Sequence, residues 1–269
     1  MKIVPKRKES ERVRTKAITT MLLTVVIASA FMVYYLSAPK ALQVTENPSS
    51  EFDALLKWAW TGSAQYPDHD QVMTTPIVAD LNLKCNRIPE IVFSTFSTKY
   101  LKDGALRVID GLTGQDATFF TTPYPTCKVC PISQIAVADV TDLSGTGPPD
   151  GIPEILAIKE DANEDSFSDA VLCFDYTGKH LWSGGFPAMV RDGGGIVVAD
   201  ITGLTLGTLP DGIPEIIVSN GPDAASPCTT VLDNRGNVRW SNGPGTGFGL
   251  PVVADLNMDG KPEVIAGRT

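Results

Sequence analysis

The segment Asp255-Leu-Asn257-Met-Asp259-Gly260-Lys261-Pro-Glu263 places oxygen-bearing side chains at positions 1, 3, 5 and 9 of a nine-residue stretch. Alternate residues of a tight loop point inward together, and Gly260 at position 6 permits a sharp turn. Lys261 at position 7 can contribute only its backbone carbonyl. Several oxygens, some charged and some neutral, on a flexible loop form a hard-cation set that suits Ca²⁺ better than octahedral Mg²⁺. The segment begins like an EF-hand loop. However, its glutamate stands at position 9 rather than 12 and a strand-type run follows, so an EF-hand is excluded.

Three further segments carry related spacings. The second copy has Asp139, Asp150 and Glu154, and the third has Asp200, Asp211 and Glu215, each with 15 residues from first aspartate to glutamate against 8 in the last copy. An insertion that bulges outward would still let these carboxylates converge, with Thr141, Asp142 and Thr202 as supplementary oxygens. The first copy offers Asp80, Asn82, Asn86 and Glu90, with fewer charges. The bland reading of all four is an Asx-rich turn whose carboxylates cap backbone N–H groups without metal. Fourfold recurrence of one oxygen pattern favours the cation reading.

These loops sit in a repeat. Asp80, Asp139, Asp200 and Asp255 are 59, 61 and 55 residues apart, each preceded by Val-Ala. A second motif interleaves: LRVIDGLTGQDATFF, VLCFDYTGKHLW and TVLDNRGNVRW. Each period therefore holds four short Val/Ile-rich runs bounded by Gly, Pro, Asn and Asp, which read as strands, with Asp-Gly and Thr-Gly as hairpin turns. No stretch after residue 38 shows sustained helical periodicity, so bundles and α/β folds are disfavoured. Four antiparallel strands per repeat of about 60 residues is the arithmetic of a β-propeller blade. The fold class expected is all-β, a propeller of about three and a half blades over residues 55–269, with repeats at 61–122, 123–182 and 183–240 and two strands beyond. Trp58, Phe119 or Phe120, Trp182 and Trp240 close the repeats and would fill space between blades. Either Ala41–Trp60 supplies closing strands for a small ring, or the chain is the leading part of a larger one; the second reading is adopted.

The Asp255–Glu263 loop, its flanking strands and the period resemble FG-GAP/VCBS repeats, the calcium-binding blades of integrin-α-like propellers, over about residues 55–269. The resemblance implies Ca²⁺ in the loop joining two strands of a blade, with Asp255, Asn257, Asp259 and Glu263 as side-chain ligands and Lys261 at the carbonyl position. It implies extracellular binding or adhesion far more often than catalysis.

The rest of the chain sets the context. Formal charge is −9, from 22 basic and 31 acidic residues, which argues against a nucleic-acid surface. Seven of the basic residues lie in the first 16, ahead of the uncharged residues 17–38, a stretch long enough to span a bilayer as a helix. We read residues 1–16 as a cytoplasmic tail, 17–38 as a membrane anchor, 39–54 as a linker or closing strand, and the acidic body as exported. A signal peptide cleaved at Ala28-Ser29-Ala30 is the alternative. Two histidines leave little for a histidine-built zinc site or a Ser–His–Asp triad. Cys127 and Cys130 form a single CxxC in a Pro-rich loop, read as a local disulfide, and Asp68-His69-Asp70 reads as a surface loop. The leading function is a membrane-tethered, Ca²⁺-stabilised module that binds an extracellular protein or glycan. Alternatives are a propeller enzyme of quinoprotein-dehydrogenase or polysaccharide-lyase type, suggested by the runs Asp175–Trp182 and Asp233–Trp240, and an envelope assembly scaffold. No acid–base pair is singled out by spacing.

Overall fold

Short Val/Ile runs with turn residues between them give strands joined by tight connections throughout. A computed structural model describes residues 55–83, 88–160, 167–168, 170–185, 190–191, 194–203, 208–219, 229–241 and 250–266. The expected tail, anchor and linker over residues 1–54 lie outside these, as do Cys85, Asn86 and Cys228. Among the described residues there is no α-helix, and none long and apolar enough to cross a membrane.

The strands group by repeat. The first sheet is β1 (Ile77–Ala79), β2 (Glu90–Thr95) and β3 (Ala105–Asp110), antiparallel in chain order. Its fourth strand shrinks to a bridge between Ile109 and Asp116. The second sheet has β4 (Ala136–Ala138) and β5 (Glu154–Ile158) as its first two strands. After β6 (Phe167–Ser168) it continues with β7 (Val171–Phe174) and β8 (His180–Gly184). The intervening β6 pairs instead with β9 (Val190–Arg191). The third sheet is β10 (Ile196–Ala199), β11 (Glu215–Ser219), β12 (Thr229–Leu232) and β13 (Val238–Ser241). The fourth is the pair β14 (Val252–Ala254) and β15 (Glu263–Ile265). The strand order expected for each repeat is met in full by the second and third sheets. The Leu56–Trp58 run, which echoes the end of the repeat motif, is not a strand.

Side chains alternate across each strand, and successive sheets stack face to face, so both faces of the middle sheets are buried. In β5, Ile155 and Ala157 join the core shared with the first sheet, beside Val92, Leu106 and Val108. Leu156 and Ile158 join the core shared with the third sheet, beside Ile216, Val218 and Leu232. Strand β7 divides likewise, with Leu172 and Phe174 to one side and Val171 and Cys173 to the other. Ile217 and Val231 face Val253 and Val264 of the fourth sheet. Two-sided burial explains why these strands read as continuous apolar runs. The first strands come together across sheets, β1 beside β4 and β4 beside β10.

The hairpins between third and fourth strands lock the stack. Asp175 accepts N–H bonds from Thr177 and Lys179 at 2.8 and 3.0 Å, and Asp233 from Arg235 and Asn237 at 2.9 and 2.8 Å. The following glycines, Gly114, Gly178 and Gly236, hold φ of 71°, 89° and 82°. Each meets the aromatic that ends the preceding repeat: a methyl on Gly114 would lie 2.6 Å from Trp58, one on Gly178 3.0 Å from Phe120, and one on Gly236 2.8 Å from Trp182. The Asp175–Trp182 and Asp233–Trp240 runs thus serve sheet-to-sheet docking.

Gly212, also at positive φ (87°), has open space where a side chain would go. Gly212→Ala should therefore cost only the left-handed strain, about 1–2 kcal/mol. Gly236→Ala adds overpacking against Trp182 and Gly184, for a total of roughly 2–5 kcal/mol. Urea unfolding checks the ranking, and equal losses would remove the packing role of the aromatic–glycine contact.

Candidate functional site

Where the first-to-second-strand connection meets the second strand, it is built alike in all four sheets. The glutamate of each motif is the first residue of the second strand, in register with the last alanine of the first: Glu90 with Ala79, Glu154 with Ala138, Glu215 with Ala199, and Glu263 with Ala254. Its Oε2 accepts the N–H of the residue after the marker aspartate, at 2.9 Å from Leu81, 2.9 Å from Val140, 3.0 Å from Ile201 and 2.8 Å from Leu256. Thr141 and Thr202 add second bonds to Glu154 and Glu215 at 3.1 and 3.2 Å.

The marker aspartates hold the far end of the loop. Asp139 accepts the N–H groups of Asp150 and Gly151 at 3.0 and 2.7 Å, and Asp200 those of Asp211 and Gly212 at 3.2 and 2.6 Å. Asp255 accepts those of Asp259 and Gly260 at 3.1 and 2.8 Å. Asp150, Asp211 and Asp259 then cap Ile152, Ile213 and Lys261 in Asx turns, at 3.0, 3.0 and 2.9 Å. The seven-residue insertions leave these hydrogen bonds at the loop ends intact. Thr141 and Thr202 turn their hydroxyls to loop carbonyls at Gly147 and Thr208. Asp142 caps the insertion through Ser144, Gly147 and Thr146, which holds its carboxyl down at about 2.

The uninserted copies share a backbone signature. Leu83 and Met258, each three residues past the marker aspartate, have φ of 50° and 61°. Such left-handed conformations cost a side-chain-bearing residue of order 1–3 kcal/mol and concentrate at functional loops. Asp80 is exposed and Asn86 lies outside the described residues. In the fourth loop Asp255, Asn257 and Asp259 are exposed and Glu263 is half-buried.

The copies differ at the second glutamate oxygen. Glu90 Oε1 accepts from Asn82 Nδ2, and Glu263 Oε1 from Asn257 Nδ2 at 3.2 Å. Glu215 Oε1 accepts from Arg239 Nη1. Glu154 Oε1 is buried without a hydrogen-bond partner. Burial first, then the charges of Asp139 and Asp150, push the Glu154 carboxyl up to about 7 against the pull of the Val140 and Thr141 N–H groups. Burial also raises Glu215, with Arg239 opposing. Among the described residues no three His, Cys, Asp or Glu side chains converge on a common point as metal ligands would; the carboxylates face backbone N–H groups. The donor set of each loop is nonetheless all oxygen, and the Glu154 oxygen has a free lone pair inside one of them.

A cluster with no motif lies elsewhere. His69, expected on a surface loop, is buried against Tyr66 and Tyr124, its Nε2 3.3 Å from Asp103 Oδ2, while Asp68 and Asp70 are exposed. Asp103 also accepts from Tyr124 at 2.8 Å and Lys128 at 3.1 Å, and burial with this carboxylate raises the Tyr124 hydroxyl to about 12. No periodic pattern marks these residues in sequence. Cys127 and Cys130 are not joined in the expected disulfide.

Glu154 predicts a pH signature. Its folded value near 7 lies above the ordinary glutamate value of 4.5. Between the two the unfolded chain binds fewer protons than the folded one, so stability falls as pH rises through this window and levels off above 7. The metal-free protein should lose about 2–4 kcal/mol between pH 4.5 and 8 from this group. Melting in EGTA across that range checks it: Glu154→Gln should flatten the slope, and an unchanged slope would place its cause elsewhere.

No protein-family profile matches the chain, and no curated protein does. Among solved structures the chain is similar to the crystal structure of the V. cholerae biofilm matrix protein Bap1, with a TM-score of 0.54 and 23% identity over 78% of this chain. It spans 31% of that protein's length, and the likeness is one of fold.

Proposed function

We propose that the chain is an extracytoplasmic, Ca²⁺-stabilised binding module whose sheets are blades of a β-propeller, held to a membrane by residues 17–38, and that it engages an extracellular protein or glycan. The observation that carries the reading is the fourfold oxygen-lined loop, always at the same end of its sheet, with one buried glutamate oxygen left unpartnered. Face-to-face stacking in chain order, with first strands adjacent, supports the blade arrangement. Likeness in fold to a biofilm matrix protein supports a matrix or adhesion role.

Two loops suit the cation best. Asp139, Asp150 and Glu154 offer three carboxylates and an unoccupied buried lone pair. Asp255, Asn257, Asp259 and Glu263 offer an exposed set in which a half-turn of the Asn257 amide exchanges its Nδ2 for Oδ1. A bound Ca²⁺ would neutralise these carboxylates and clamp the start of the second strand to the end of the first. Asp80, Asn82, Asn86 and Glu90 form a poorer set, with a single carboxylate at either end and neutral amides between.

Thermal unfolding of the full chain with Ca²⁺ and with EGTA tests the reading. Linkage predicts a gain of roughly 2.7 kcal/mol at 100-fold excess over the dissociation constant for one site. Asp255→Asn with Asp259→Asn should remove part of that gain, and Glu154→Gln another part. Retention on matrix polysaccharide or protein should need Ca²⁺. Identical melting in both buffers would sink the calcium reading, and Ca²⁺-indifferent retention would separate binding from it.

A further inference from the structure

The second and third loops match in length, in Asx turns and in the hydrogen bonds at their ends, yet their repeats differ at one place on the last strand. In β13 the register sets Leu232 opposite Val238 and Val231 opposite Trp240, with Arg239 at the irregularity between them. In β8 Phe174 faces His180 and Cys173 faces Trp182, so Leu181 holds the corresponding position. Leu181 packs into the apolar core. Arg239 instead reaches across the sheet, donating Nη1 to Glu215 Oε1 and Nη2 to the Gly203 carbonyl at 2.6 Å. The side chains are 16% and 3% exposed, so the pair is largely shielded from water. Gly203 lies within the loop itself, three residues past Asp200.

One carboxylate oxygen and one loop carbonyl are the donors that a cation in this loop would draw on. A guanidinium stays charged at any working pH and presents several N–H groups in a fixed fork. We propose that the Arg239 guanidinium takes the place of the cation in the third repeat, so that Asp200, Asp211 and Glu215 close that loop without metal while the Leu181-bearing second repeat depends on an external ion. The expectation of metal at Asp200, Asp211 and Glu215 is thereby replaced by an internal cation. The inference rests on the calcium reading only for the repeats other than the third.

Two measurements on the full chain decide it. Calorimetric titration should give the same number of Ca²⁺ ions per chain for wild type and Glu215→Gln, and one more for Arg239→Met. A count that falls in Glu215→Gln, or that does not rise in a folded Arg239→Met, overturns the proposal. Melting in EGTA reads the pair without metal: Arg239→Met should lower the midpoint, Arg239→Lys should lower it less, and Arg239→Met combined with Glu215→Gln should fall no further than Arg239→Met alone. Additive losses in the double variant would show that the guanidinium does not compensate Glu215, and would overturn it. Should Arg239→Met fail to fold, Arg239→Lys carries the titration, with a wild-type count expected and a raised count overturning. If wild type binds no Ca²⁺, the calcium reading of the other loops fails, and the EGTA series alone decides the role of Arg239.

Discussion

A carboxylate at the first residue of each second strand, buried in the first three sheets and half-buried in the fourth, governs how the two strand ends meet. Burying an ionised group is costly unless donors replace the lost water. Here the donors are the N–H groups just past the end of the first strand, so the glutamate ties the two strand ends together whatever lies between. The second and third loops carry seven more residues than the fourth, yet Glu154 and Glu215 meet the same N–H positions as Glu263. The marker aspartates do the complementary task at the other end of the loop. Insertion length is thereby decoupled from sheet geometry, and in the second loop the extra residues fold as a separate Asx-capped turn around Asp142.

Stacking of the sheets depends on this regularity. Each interior sheet gives alternate side chains to two cores, so a sideways slip would misplace both sets at once. The aromatic–glycine contacts add a second constraint at the outer hairpins. Trp58, Phe120 and Trp182 lie where a Cβ on the next repeat's turn glycine would collide with them. At these glycines the positive φ and the closeness of the rings are two requirements that coincide, whereas Gly212 meets only the first. The register irregularities at Cys173/Phe174 and Val231/Leu232 fall just before these turns, where the third strand gives way to the Asp-capped hairpin.

Much of this was legible in the sequence because it is local or periodic. The marker aspartates, the strand runs and the closing aromatics all follow from spacing within one repeat. The partners of Glu215 and His69 did not, for different reasons. Arg239 meets Glu215 across two intervening strand pairings, and an arginine in a half-exposed fourth strand looks like ordinary surface. His69 is flanked by two aspartates that suggest water, but the Tyr124 segment folds over it from 55 residues away in the chain. Fourth-strand formation also varied: Asp116 keeps a single bridge where β8 and β13 pair over several residues.

The charge of the loops bears on their purpose separately from their shape. Neutral oxygens from Asn, Ser or Thr can accept the same backbone N–H bonds, as Thr113 and Asn257 do here. Such groups would cap these turns without mutual repulsion. A carboxylate gains over an amide where strong donors or positive charge stand opposite it, as at Asp142, but burial and the charges of Asp139 and Asp150 work against an ionised Glu154. In the third repeat that positive charge is part of the chain. In the second it is not, although the aspartates and glutamate occupy the same positions. The two loops share their end geometry, but the glutamate of one meets a guanidinium while that of the other keeps a buried oxygen without a partner.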